Sequence, residues 1–329
     1  MPDRNFKGPI TRRRALAIVA GVGALMLPVS GRSATLRHRY EWRGTAMGAD
    51  ARIVLYHWDR AEAEDAVRTS VVEIERLENE FSLFRPHSAL SRLNRDCLLE
   101  SPSLDMVRLM TLCKRFGDLS GGAFDITVQP LWRLFANHFN GYPNTLNGPG
   151  EKAVEAALAR VDYRRIGVSS QRIILDQGQE VTLNGIAQGY VTDRVANLLR
   201  GRGWSHVLIN LGEMRALDGR PDGDPWRVSL PEAGLTVPLT GGALATSQGG
   251  ATRFEPSGRH HHLFDPFKGA SANRYRSVTA AAADATTADA LSTALFAVSG
   301  NRASNMIRRV GNIEAWLTGA DGRTKHLKG

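Results

Sequence analysis

Two oxygen-bearing side chains stand one helical turn apart. Asp289 and Thr293 are four residues apart near the start of an Ala/Leu-rich stretch, so a helix there puts both on one face. A carboxylate and a hydroxyl so placed suit a hard cation such as magnesium, which favours oxygen donors. The same pair also has a purely structural reading: Asp289 offsets the helix dipole and Thr293 bonds back to its own helix. A second segment, Thr182-Leu183-Asn184-Gly185-Ile186-Ala187-Gln188-Gly189-Tyr190, reads as a strand entering a helix through glycines. Glycines let a ligand approach the backbone, and a helix start offers free N–H groups to an anion such as a phosphate. The segment has neither the lysine of a P-loop nor the G-x-G-x-x-G of a dinucleotide fold, so a plain strand–helix turn explains it equally well. Three adjacent histidines, His260, His261 and His262, cannot all point one way. The Phe264-Asp265-Pro266 turn after them can orient one imidazole for acid–base work; a surface run without a role is the alternative. Gly121-Gly122-Ala123-Phe124-Asp125 has the make-up of a ligand-lining turn, or of a loop entering the core. Met47-Gly48 and Phe81-Ser82-Leu83-Phe84 read alone as ordinary core.

The elements that must position these residues are visible as patterns. Tyr40 to Tyr56 reads as two strands around a turn at Met47-Gly48-Ala49. Val67, Val71, Ile74, Leu77 and Phe81 fall at helical spacing. Ser103 to Phe116 predicts a second helix ended by Gly117, and Glu151 to Val161 a third. Arg172 to Leu175 and Glu180 to Leu183 predict a hairpin around Asp176-Gln177-Gly178. Gln188 to Arg200 predicts a helix and His206 to Leu211 a buried strand. Trp226 to Leu230 and Leu235 to Leu239 are strands, Ala288 to Val298 a helix, Asn301 to Arg309 a helix and Glu314 to Leu317 a strand. Residues 138–150 are rich in turn formers and read as a loop. Helices and strands mix without regular βαβ alternation, which points to an α+β class.

The chain has 329 residues, 42% hydrophobic and 23% charged, enough for one large domain or two modest ones. Two cysteines, Cys97 and Cys113, exclude a disulfide scaffold and a cysteine-rich metal or cluster site. In an oxidising compartment the two can pair, although nothing in the sequence fixes their distance. The formal net charge is +9, concentrated at the start. Arg4, Lys7, Arg12, Arg13, Arg14 and Arg32 face only Asp3 within residues 1–34. The mild excess on the remainder, without aromatic–basic interleaving, argues against nucleic acid as a partner. Thr11-Arg12-Arg13-Arg14 precedes a short apolar run from Ala15 to Pro28 and small residues to Ala34. This is the pattern of a signal peptide over 1–34, with paired arginines suited to the twin-arginine route and to delivery into the periplasm. No cysteine follows the apolar run, so no lipid or membrane anchor is expected.

Taken in order, the segments carry a resemblance that no one of them carries alone. Met47-Gly48, Phe81 to Phe84 with Ser88 to Asn94, Gly122 to Asp125, Asn184 to Tyr190 with Asp193, Ile209 to Gly212, Ala245 to Ser247, His262 to Pro266 and Ala288 to Ala294 follow one another. The chain, from about residue 40 to about 318, resembles the ApbE family of bacterial FAD:protein FMN transferases. The twin-arginine leader and the Leu183 to Tyr190 segment are most similar to its NosX-type branch, accessory to nitrous oxide respiration. The resemblance implies an ApbE-like, T-fold-type α+β domain over 35–329, with mainly antiparallel sheets flanked by helices and a ligand cleft between two subdomains. It implies a magnesium-dependent enzyme that cuts the pyrophosphate of FAD, joins FMN to a Ser or Thr hydroxyl of a partner flavoprotein, and releases AMP. By that likeness Met47, Phe84, Ala123, Phe124 and Asp125 line the flavin or adenosine site. Thr182 and Gln188 stand where the family contacts FAD. The Gly185 carbonyl faces magnesium beside Asp289 and Thr293, and His262 matches the histidine needed for transfer. The implied acceptor is a membrane-bound NosR-type flavoprotein facing the periplasm. The chain departs from the family's usual residues: Thr182 replaces Asp, Gln188 replaces Lys, Phe84 replaces Tyr, and Glu213 and Gln248 replace Gly. A non-catalytic FAD-binding or FAD-delivery protein, and an FAD pyrophosphatase using water as acceptor, are the competing readings.

Overall fold

A computed structural model describes residues 37–329; the signal-peptide reading over 1–34 lies outside the described residues. Strands β1 (His38–Ala46) and β2 (Ala49–His57) form a hairpin closed by Met47 and Gly48, with φ of 50° and 80°. That turn matches the twist of paired strands, but it is costly for a residue with a side chain. The Met47 N–H is held by Glu78 Oε1 at 2.7 Å. Helix α1 (Arg60–Phe81) starts under an Asp59 cap and buries Val67, Ile74, Leu77 and Phe81, while Val71 is only half-buried. Helix α2 (Ala89–Asp96) and strand β3 (Leu98–Glu100) follow. Helix α3 (Leu104–Ser120) has its Ser103 cap, but Gly117 does not end it. The helix stops at Gly121, with φ 60°; Gly117 instead makes room for the Tyr163 ring, which an added Cβ would meet at 2.4 Å.

Helix α4 (Gln129–Gly141) takes in the first residues of the expected 138–150 loop, and helix α5 (Glu151–Leu158) follows. The expected hairpin at 172–183 is absent. Strands β4 (Gly167–Val168) and β5 (Arg172–Ile174) pair with each other, and β5 also pairs with β3. Val181 finds no strand partner because Asn94 takes both its groups: Oδ1 accepts the Val181 N–H at 2.7 Å and Nδ2 donates to its carbonyl at 2.8 Å.

The rest of the chain is helix α6 (Ala187–Gly201), strands β6 (Val207–Asn210) and β7 (Met214–Leu217), the hairpin β8 (Trp226–Leu230) and β9 (Leu235–Leu239), and strands β10 (Gly242–Gln248), β11 (Phe264–Asp265), β12 (Ala270–Ser271) and β13 (Tyr275–Ala282). Helices α7 (Ala285–Phe296) and α8 (Gly300–Val310) and strands β14 (Glu314–Gly319) and β15 (Thr324–Lys328) close it. Eight strands form one sheet in the order β1-β2-β6-β7-β10-β13-β14-β15, with β1 and β15 outermost and every neighbouring pair antiparallel. Strand alternation divides the core. Ile53, Leu55, Ile209, Ala245, Val278 and Leu317 pack with α1, α3, α6 and α7. Val54, Ala216, Leu244 and Trp316 face the other way, under Trp226, Val228 and Leu239 of the β8–β9 hairpin. A smaller apolar cluster joins Leu131, Phe135 and Phe139 of α4 to Ala157 and Phe264. The architecture is thus α+β with mainly antiparallel sheets flanked by helices. Cys97 and Cys113 are free thiols, Cys113 deep in the main core, so the pairing left open by the sequence is not formed.

Helices α6 and α7 cross so closely that only glycine fits at position 189. A Cβ there would lie 2.3 Å from the Ala285 carbonyl oxygen and 2.8 Å from Asp289 Cβ. The contact is locked at the start of α7. The buried Asp193 carboxylate of α6 accepts from Ala285 N at 2.9 Å, Thr286 N at 2.8 Å and Thr286 Oγ1 at 2.5 Å, and pairs with Arg215 Nη1 at 2.7 Å. Asp284 accepts from Thr287 N at 2.7 Å, so the first N–H groups of α7 are satisfied. Gly189→Ala must push backbone aside and is expected to cost about 1–3 kcal/mol or more. Gly201→Ala, where a Cβ meets nothing within 4 Å, is expected to stabilise by roughly 0.5–1 kcal/mol. Urea unfolding midpoints measure both; equal midpoints would remove the close-crossing account.

Candidate active site

A cavity of about 530 Å³ lies between the main core and the smaller α4 cluster. Met47, Phe84, Ala123, Phe124, Asp125, Thr182, Gly185, Gln188, His262, Asp289 and Thr293 all line it. Residues separated by up to 246 positions are therefore brought to one place. The sequence reading did not single out Ser247, Trp132 or Phe264 as site residues, and it noted Glu213 and Gln248 only as departures; all five also line the cavity.

Each wall has a local cause. Gly121 and Gly122, with φ of 60° and 84°, turn the chain after α3, and Ser120 Oγ accepts the Phe124 N–H at 2.9 Å. Asp125 then caps a short turn. Its Oδ1 accepts from Thr127 N at 2.8 Å and Thr127 Oγ1 at 2.5 Å, and its Oδ2 from Tyr163 N at 3.1 Å. Burial pushes its pKa up against those bonds, and the scaffold uses most of its acceptor capacity. Thr182 N donates to Ile126 O at 2.8 Å, and Thr182 Oγ1 accepts from Asn184 N at 3.3 Å. Gly185 is pressed on α7: a Cβ would lie 2.8 Å from Thr293 Oγ1. The Gln188 amide covers Gly212, where φ is 104° and a Cβ would be 2.4 Å from Gln188 Nε2. Phe84 stands at the rim, 83% exposed.

The polar floor holds acids and hydroxyls. Asp289 is 3% exposed, and its Oδ2 accepts the Gly189 N–H at 3.0 Å. Glu213 is 7% exposed, and its Oε2 accepts the Thr246 N–H at 3.1 Å. Both carboxyls are held above the usual carboxylate range, first by burial. Asp193 adds repulsion at Asp289, and Asp289 adds repulsion at Glu213, while the two N–H bonds pull the other way. Among the described residues no lysine or arginine lines the cavity. Beside these acids runs a hydroxyl chain. Ser292 Oγ donates to the Asp289 carbonyl at 2.9 Å, Ser247 Oγ lies 2.8 Å from Ser292 Oγ, and Thr293 Oγ1 lies 3.2 Å from Ser247 Oγ. Each hydroxyl has one proton to give. With Ser292 committed to a carbonyl, Ser247 donates to Ser292 and Thr293 to Ser247, which leaves the Thr293 lone pairs for the cavity.

The three histidines diverge. His260 packs on Phe135 and Phe139. His261 is buried edge-on to Phe296, its pKa pushed down to about 4 by burial. Only His262 lines the cavity. Its Nδ1 lies 3.1 Å from the Thr252 carbonyl, which can only accept, so Nδ1 carries the proton and Nε2 keeps a free lone pair. Burial lowers its pKa and the carbonyl partly opposes that, so the imidazole is neutral at neutral pH. Among the described residues no group of three or more His, Cys, Asp and Glu is arranged around one point as a metal cluster. The Asp289, Thr293 and Gly185 set is of another kind: oxygen donors of mixed type, which suit a hard cation.

The ApbE family model matches residues 47–317. An FAD:protein FMN transferase of Klebsiella pneumoniae is 30% identical over 288 residues, 82% of this chain and 81% of the relative. One of Escherichia coli is 28% identical over 290 residues, 82% and 79% respectively. The crystal structure of the ApbE protein of Thermotoga maritima superposes with a TM-score of 0.78 at 28% identity, covering 88% of this chain and 97% of that one. The apo flavinyl transferase ApbE of Pseudomonas stutzeri shares the fold with a TM-score of 0.77 at 24% identity, covering 90% and 97%. With a family model over most of the described residues and a relative at 30% identity over most of both chains, the chain belongs to the ApbE family.

Proposed function

We propose that the chain is an FAD:protein FMN transferase. The observation that carries this reading is the cavity itself. It gathers aromatic walls, a neutral histidine and a buried acid–hydroxyl pair, and among the described residues no lysine or arginine lines it. FAD offers flat rings to the aromatic walls and a pyrophosphate to the polar floor. Phe84, exposed at the rim, is an apolar face that a flavin ring would cover. Ala123 and Phe124 shape the wall, and Asp125 holds the turn beneath them. Thr182 and Gln188 offer neutral hydrogen bonds where a charged pair would be more usual. Asp289, Thr293 and the Gly185 backbone would hold magnesium, which when bound neutralises pyrophosphate charge and supports the departing AMP. His262 Nε2 takes the proton of an incoming Ser or Thr hydroxyl. The new bond joins that oxygen to the FMN phosphorus, and the bond that breaks is the bridge to AMP. Positioning supplies much of the rate in such an in-line displacement.

The remaining assignments belong to the same reading. The basic, apolar and small-residue pattern over 1–34 supports twin-arginine export, with residues 35–329 acting in the periplasm. Among the described residues no helix is long and apolar enough to cross a membrane. The Leu183 to Tyr190 segment supports a NosX-type role beside nitrous oxide respiration, with a membrane-bound NosR-type flavoprotein as acceptor.

Incubation of the full chain with FAD, magnesium and the acceptor is expected to give covalent FMN by mass spectrometry and one AMP per adduct. FAD retained without AMP, or FMN and AMP released without acceptor, would replace this reading with the binding or the pyrophosphatase reading. Asp289→Asn, or EDTA treatment, is expected to lower transfer by about 100-fold or more, and added magnesium restores only the EDTA-treated protein. The acid limb of kcat should fall below the ordinary histidine value of 6.5, because burial lowers the His262 pKa. Activity is then full at neutral pH and lost as acid protonates Nε2. His262→Ala should remove that limb and roughly 10²–10⁴-fold of the rate; an unchanged pH profile in the variant would exclude His262 as the base.

A further inference from the structure

The cavity holds more carboxyl groups than a single cation-holding carboxylate explains. Asp125, Glu213 and Asp289 line it, with no lysine or arginine among the described residues lining it beside them. Asp125 is accounted for by its bonds to Thr127 and Tyr163. Glu213 and Asp289 each accept one backbone N–H, and among the described residues the second oxygen of each has no hydrogen-bond partner. Both residues line the cavity. When ionised, two acids more than nine-tenths buried and, among the described residues, without a basic partner are unfavourable unless a cation is drawn to them.

Glu213 is also placed by the same framework as the Asp289 and Thr293 pair. Strand β10 holds the Glu213 carboxylate through Thr246 N, and the next residue, Ser247, lies against Thr293 Oγ1. Helix α6 touches both sides: Gly189 N binds Asp289, while Thr192 Oγ1 reaches the Glu213 carbonyl at 3.5 Å.

We propose that Glu213 is a second carboxylate ligand of the divalent-cation centre, and that the ion is resident before the nucleotide arrives. This rests on the reading of Asp289, Thr293 and Gly185 as that centre. A magnesium ion held by one carboxylate keeps a net positive charge that substrate phosphates complete. Two carboxylates balance the ion without the nucleotide. Hard carboxylate oxygens also favour magnesium, manganese or calcium over softer ions. Binding by the nucleotide-free protein therefore separates the two arrangements.

The test uses the full chain, stripped with EDTA and free of FAD, with magnesium binding followed by calorimetry and manganese binding by electron paramagnetic resonance. The wild type is expected to bind one ion per chain. Glu213→Gln, which keeps an acceptor for Thr246 N, should weaken the Kd by about 10–100-fold, and Glu213→Asp should fall between. Thermal melting in the same buffer verifies that each variant is folded. An unchanged Kd in Glu213→Gln, with binding lost in Asp289→Asn, overturns the Glu213 assignment and leaves the proposed function intact. An unchanged Kd in both variants removes the cation centre itself.

Discussion

One backbone N–H, that of Gly189, fixes where the most important carboxylate of the cavity sits. Asp289 is carried by α7 but oriented by α6, and the two helices meet only because residue 189 has no side chain. Asp193 makes the crossing specific. It gives α7 an anchor from another helix, worth more than an ordinary cap because its charge is buried and shared with Arg215. The same contact places Thr293 one turn further on, where Gly185 can press against it. Sheet strands β10 and β7 then bring Ser247 and Glu213 to the same floor. Removing freedom at one crossing thereby sets several functional groups at once, which is how a cavity built from distant segments stays preorganised.

Electrostatics gives that geometry its purpose. Most buried acids among the described residues have a cation: Glu41 has Arg39 and Arg52, Glu78 has Arg85, Asp105 has Arg76 and Arg194, and Asp193 has Arg215. The acids on the cavity floor do not. A fold that pairs its charges elsewhere leaves them unpaired where a ligand's counter-charge is to enter. The histidine opposite is prepared differently, by a carbonyl that fixes its tautomer and by burial that keeps it neutral. The protonation of these groups is thus set by environment as much as by residue type.

Much of this could be read from the sequence, for identifiable reasons. Strands β8 and β9 match their expected bounds because each is an apolar–polar alternation ended by turn residues. Helix α7 begins three residues before its expected start because Asp284, not an apolar residue, sets its end. Strands β10 and β13 escaped because glycine, alanine, serine and threonine carry them; small residues have no periodic apolar signal, and here they are needed to let α7 lie close. Helix α4 was hidden by a proline at its start and by turn formers at its end. The hairpin expected at 172–183 failed because one side chain, Asn94, from a distant helix satisfied the backbone instead. For the site, no single motif was sufficient; the order of many was. Glu213 could not be seen as a floor residue, since a lone acid after Leu211-Gly212 becomes buried only through its tertiary neighbours.

Among the described residues the sheet ends in two rims without a further strand, β1 and β15. Strand β1 carries Arg39, Glu41 and Arg43, and strand β15 carries Lys325, His326 and Lys328. Rows of charge along both outer strands make stacking of one molecule's rim on another's unfavourable. Neither border of this antiparallel structure is thus a bare apolar template for fibre growth.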